Sequence, residues 1–98
     1  MAAAFNELVE KNFETLDLYT TAITRAHGKS HPEAFEVREL FVTMKEKVAA
    51  DEGQPNLDAE FTKLRQVTGN YEVPDDVCAT YEGVYNMLSE VDNAYHNK

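Results

Sequence analysis

The stretch TRAHGKSHPEAFEVREL, residues 24–40, decides how this chain folds. Gly28 and Pro32 bracket a break in it. Glycine is a poor helix former, so the segment before it ends near His27. Ser30 stands three residues ahead of Glu33, the spacing of a capping box. Pro32 is tolerated in a first turn whose amides are unpaired in any case. A second helix therefore starts there. The break also bears on two of the three histidines in the chain. In one continuous helix His27 and His31 would share a face and could grip a metal; across a break they read as a helix-ending histidine and a solvent-facing first-turn histidine.

Outward from this stretch the apolar residues repeat at helical spacing. Upstream, Phe5, Leu8, Val9, Leu16, Tyr19 and Ile23 fall on one face of a helix predicted over residues 3–27. Downstream, Val37, Leu40, Phe41, Met44 and Val48 form the second stripe, which ends at ADEGQPN, residues 50–56, where Gly53 and Pro55 make further helix improbable. A third, short helix carries Leu57, Phe61, Leu64 and Val67 and stops at Gly69-Asn70. The fourth is predicted from about Pro74 to the C-terminus, with Asp75 and Asp76 against its N-terminal dipole and a stripe of Cys78, Tyr81, Tyr85, Leu88, Val91 and Tyr95. No strand signal or internal repeat competes. The expectation is all-α: an up-down-up-down four-helix bundle forming one domain over residues 1–98. The third helix, at roughly 18 Å, is shorter than neighbours of roughly 30 Å, which is expected to expose Phe5, Tyr85 or Tyr95 and to drive a homodimer.

Composition narrows the function classes. Eighteen Asp plus Glu against nine Lys plus Arg give a net charge of −9, which repels phosphate backbones and anionic headgroups, so no nucleic acid and no membrane surface is expected as partner. No apolar run approaches the roughly 20 residues of a spanning helix, and charge enters too early in MAAAFNELVEKNF for a signal peptide; the chain reads as soluble and cytoplasmic. The single cysteine, Cys78, sits in the apolar period and reads as a buried structural thiol. Phosphate loops, nucleophile elbows and zinc-type cysteine pairs are absent from the sequence, and no acid–base constellation marks an enzyme.

Two segments carry a resemblance. RAHGKSHPEAFEVRELF is similar to an "HG..HPEL" element, and LRQVTGNYEVPDDVCATYEGVYNMLSEVD to a form "LR.LTN.Y.PP.DAC.TY...Y..L.ELE", matched at Pro74, Cys78, Thr80, Tyr81, Tyr85, Leu88 and Glu90. Both elements resemble the hemerythrin-like domain of the di-iron proteins that repair iron–sulfur clusters, the Ric family. The resemblance implies the same four-helix fold. It also implies a di-iron centre held by histidines and glutamates from all four helices, and here the chain departs from the pattern. His27 matches the histidine of the "HG" element and is the one ligand position carried over. A first-helix histidine of the family falls near Asn6. The family's "H...E" and "LFP" segment is replaced by ADEGQPN, where Asp51 and Glu52 are hard oxygen donors near the lost histidine. The last "H...E" pair would begin around Lys98; His96 lies two residues short, about 200° around a helix.

The candidate metal residues are thus His27, Asp51 and Glu52. The expectation is a shortened relative acting as a non-catalytic helical binding module, with no cofactor required, pairing with itself or with a protein of iron–sulfur repair. The alternative is an iron-binding protein in cluster repair or stress response, whose site a second subunit or partner completes.

Overall fold

The computed structural model describes residues 3–50 and 56–96. Four helices follow the apolar periods: α1 Ala3–His27, α2 Glu33–Ala50, α3 Asp58–Thr68 and α4 Ala79–His96. They form an up-down-up-down bundle in which α1 packs on α4 and α2, and α2 on α3. With 25 residues at 1.5 Å each, α1 is about 37 Å long and spans the 36 Å long axis of the molecule. Its inward face carries Phe5, Phe13, Leu16 and Ile23, closed by Val37, Phe41 and Met44 from α2, Phe61 and Leu64 from α3, and Tyr81, Val84, Leu88 and Val91 from α4. Edge-to-face pairs, Phe13 with Phe41 at 5.2 Å and Phe5 with Tyr95 at 5.5 Å, tie the helices across the core.

The third helix is short, 11 residues, yet the residues expected to be uncovered by it are not. Phe5, Tyr85 and Tyr95 are 1%, 1% and 4% exposed. Leu57, just before α3, is itself buried and donates its amide to the Tyr95 hydroxyl at 2.9 Å. Phe61 stacks on the Tyr95 ring at 5.1 Å. Beyond α3, Tyr71, Val73 and Val77 lie against the core. The connection thus supplies the cover that a longer helix would have given. The large apolar groups that are exposed lie elsewhere: Leu18 and Tyr19 on α1 and Phe35 on α2.

Two boundaries differ from the sequence expectation. The fourth helix begins at Ala79, not near Pro74, and its first helical bond runs from the Glu82 amide to the Cys78 carbonyl at 3.1 Å. Residues before it turn to lay Val77 on the core, so Cys78 becomes the residue that caps α4 instead of a member of its buried stripe. At the head of α2 the Glu33 carboxylate engages His31 at 3.0 Å in place of the Ser30 amide, so the expected capping box does not form. The first turn is closed instead by the Ala34 amide on the His31 carbonyl and the Phe35 amide on the Pro32 carbonyl.

Polar groups pin the helix pairs. Asp17 of α1 accepts from Arg38 and, at 2.9 Å, from Lys45, both on α2; these two cations hold its carboxyl below the usual range. Between α3 and α4, Arg65 grips the buried Asp92 through Nε at 2.9 Å and through Nη2.

Candidate functional site

The break at residues 28–32 places both of its histidines at one end of the bundle, against the start of α4. His27 ends α1, and its Nε2 lies 3.3 Å from the Cys78 sulfur. The edge of the Tyr81 ring packs on it at 5.5 Å. Cys78 is exposed, contrary to its reading as a buried thiol. As the residue before Ala79 it turns its sulfur back on the first amides of α4. The Tyr81 amide first and the His27 ring second lower its pKa to about 7, burial opposes them, and the Thr80 amide adds a smaller lowering. A helix N-terminus and an adjacent imidazole are the surroundings that favour a thiolate.

His31 is held differently. Its Nδ1 meets Glu33 at 3.0 Å and its Nε2 meets Asp76 at 2.9 Å, so a carboxylate closes each ring nitrogen. Glu33 first, then Asp76, raise its pKa, with burial opposing. The side chain is 15% exposed, so the expected solvent-facing histidine is instead wedged between α2 and the segment leading into α4. Tyr81, fully buried, stacks on His31 at 5.6 Å, and its hydroxyl reaches the Tyr85 hydroxyl at 3.2 Å and Glu33 at 3.5 Å. Burial and these neighbours push the Tyr81 phenol well above its ordinary pKa, so it stays protonated. The two imidazole rings are 6.4 Å apart, one turned to a thiol and the other to two carboxylates.

Of the residues expected at a metal centre, His27 lies in this cluster, while Asp51 and Glu52 lie outside the described residues. Asn6 is exposed on the outer side of α1. Among the described residues no group of three or more histidine, cysteine, aspartate or glutamate side chains is arranged to hold a metal ion. A carboxylate-bridged di-iron centre draws several such ligands from the bundle interior. The described residues do not fit one, and no chemistry is routed through it.

A second polar cluster closes the other side of α4. Asp92, 3% exposed, accepts from Arg65 and from the Tyr71 hydroxyl at 2.7 Å; its Oδ1 also lies 2.8 Å from His96 Nδ1, which is bonded to the Asp92 backbone carbonyl at 2.9 Å. It lines an open depression of about 480 Å³ with Asn70, Ser89 and Asn93. The backbone bends to build it: Gly69, Asn70 and Tyr71 take φ of 61°, 63° and 65°, which places the Tyr71 phenol on the carboxylate. His96, read from sequence as pointing away from any ligand position, is held here. Glu60 is a further buried carboxylate that the helical periods did not single out. One oxygen pairs with Lys47 at 2.8 Å and the other has no partner.

The fold and this end of it define an all-α four-helix bundle with a solvent-facing thiol–imidazole pair. Two curated proteins from two strains of Staphylococcus epidermidis, each named iron-sulfur cluster repair protein ScdA, are 20% identical to the chain over an alignment of 127 residues, covering 96% of this chain and 56% of theirs. The chain therefore spans about 56% of the length of these relatives. The likeness supports a loose relation to iron–sulfur cluster repair proteins and does not reach the finer reading of a shortened hemerythrin-like domain. No family model matches, and no solved structure matches. Among the described residues no helix is long and apolar enough to cross a membrane.

Proposed function

We propose that this chain serves iron–sulfur cluster repair as a helical binding module, related to the hemerythrin-like Ric proteins and without a complete di-iron ligand set of its own. The observation that supports it is the placement of His27. His27, the one ligand position that the family resemblance carries over, has its Nε2 3.3 Å from the Cys78 sulfur. The likeness to the ScdA proteins over 96% of the chain supports the connection to cluster repair. Leu18 and Phe35, 67% and 55% exposed, are the apolar contacts such a module offers a partner or a second copy of itself. The alternative, an iron site completed by a second subunit, draws on the same open position of His27.

Iron analysis of protein purified without chelator separates these readings. The binding module carries iron well below one atom per chain and is colourless. A full di-iron complement overturns it, and iron present only in a dimer establishes the alternative. Sedimentation at micromolar concentration tests self-pairing, which fails if the 11.1 kDa species is the only one seen.

A further inference from the structure

The polar cluster near the end of α4 holds more donors than it uses. Arg65 grips Asp92 side-on, through Nε at 2.9 Å and through Nη2, so that edge of the guanidinium is spent. Its end edge is not. A guanidinium carries five N–H donors, and among the described residues those on Nη1 reach no protein group. The side chains of Asn70, Ser89 and Asn93 likewise bond no other described residue, and all three line the same depression of about 480 Å³ as Arg65. That volume falls within the range of small-molecule sites. The fold also fixes the guanidinium plane, because Asp92 is itself held by the Tyr71 hydroxyl at 2.7 Å. Tyr71 reaches it only from φ 65°, a left-handed conformation that a bulky residue avoids. Strain of this kind persists where the surrounding structure forces it, and it clusters at ligand sites.

We propose that this depression is a binding site for a small hydroxylated monocarboxylate, whose carboxylate takes the end edge of Arg65 and whose hydroxyls meet Asn70, Ser89 and Asn93. A planar guanidinium edge matches the two oxygens of a carboxylate, as a point-like ammonium does not. Hydroxyls donate and accept, and so do the amides and the serine around them. The surroundings set the ligand's charge at a single negative one. Asp92 already offsets Arg65, Asp58 lies 3.9 Å from the His96 ring beside them, and the chain carries a net charge of −9. Phosphate and polycarboxylates therefore meet more repulsion than one half-spent guanidinium returns. The site lies at the far end of α4 from the His27–Cys78 pair, and nothing in it draws on the cluster-repair reading or on iron.

The experiment is a titration of metal-free, isotope-labelled full chain with sodium gluconate at fixed ionic strength, followed by the side-chain N–H signals of Arg65, Asn70 and Asn93. These signals should move together and saturate, with the millimolar dissociation constant that one guanidinium edge in an open site supports. Sorbitol, the neutral counterpart, should leave the Arg65 signals in place, and citrate and phosphate should bind at least about fivefold more weakly than gluconate. Asn93 is exposed, so Asn93→Asp leaves the core untouched. It sets a second negative charge beside the ligand and should weaken gluconate binding about tenfold. Shifts that do not saturate, or that sorbitol reproduces, overturn the proposal. An unchanged affinity in folded Asn93→Asp overturns it as well, and citrate or phosphate bound as tightly as gluconate overturns the assignment to a monocarboxylate.

Discussion

His31 holds two carboxylates, Glu33 from α2 and Asp76 from the segment before α4, and its pKa is raised by both. The sign of the consequence is fixed by linkage. A histidine more basic when folded than when unfolded contributes stability that is fully present below its unfolded value, about 6.5, and is lost as pH rises through the higher folded value. The melting temperature should therefore decline from slightly acid to mildly alkaline pH, and His31→Gln should flatten that decline. Parallel melting curves for the two proteins across this range would remove the clamp from the account. Neither histidine contact was legible in the sequence. His31 meets Asp76 across 45 residues and His27 meets Cys78 across 51, and no local spacing encodes a pairing of that reach. Cys78 was misread for a different reason. It falls three and seven residues before Tyr81 and Tyr85, a helical period, but the helix starts one residue later, and the side chain of a capping residue turns back on the amides instead of into the seam.

At the scale of elements the break between α1 and α2 was legible because glycine is required there. A Cβ on Gly28 would stand 2.5 Å from the Thr24 carbonyl oxygen and 2.6 Å from the Phe35 ring. The ring is half exposed and can swing away, whereas the carbonyl is fixed in the last turn of α1. Gly28→Ala should cost about 1–3 kcal/mol, and removing the ring with Phe35→Ala should not recover it; recovery would locate the clash at the ring. The capping box two residues on was a false signal, since Ser30 and Glu33 have the right spacing but His31 and Tyr81 draw the carboxylate off. Ser30→Ala is accordingly expected to leave the denaturant midpoint within about 0.5 kcal/mol of wild type. The end of α3 was legible from Gly69-Asn70, but the continuation of the left-handed turn through Tyr71 was not, because a bulky residue takes that conformation only when tertiary bonds hold it there. Its phenol bonds the buried Asp92 at 2.7 Å. Tyr71→Phe should cost about 2 kcal/mol, as expected for a hydrogen bond to a buried charge. An unchanged urea midpoint would mean that Arg65 and His96 satisfy the carboxylate by themselves.

Across the whole molecule the question is whether apolar packing or a metal holds the four helices together. Most residues of the stripes read from the sequence lie in the core or against it, because a period of 3.6 buries one face; Tyr19 and Cys78 of those stripes are exposed, and Phe13, Ala34 and Val84 join the core from outside them. The cover over Phe5, Tyr85 and Tyr95 escaped that reading because it comes from Leu57 and from the segment after α3, where no period operates. With this cover the core is closed, and a domain of this size stands on a net stability of about 5–15 kcal/mol. Phe61 is fully buried and packs on Tyr95 of α4 and the His96 ring. Phe61→Ala leaves a cavity costing about 3–5 kcal/mol, which at about 4–8 °C per kcal/mol lowers the melting temperature by at least about 12 °C. A metal has far less to act on. Among the described residues no three ligands converge, and a ligand stabilises only by the logarithm of its concentration over its dissociation constant. Chelator, or anaerobic ferrous iron, should therefore move the melting temperature by no more than about 2 °C. Melting curves of wild type with chelator, wild type with iron and Phe61→Ala, run side by side, decide between the two sources of stability. A chelator effect as large as that of Phe61→Ala would show that iron, and not the closed core, holds the bundle, and would return His27 to a metal.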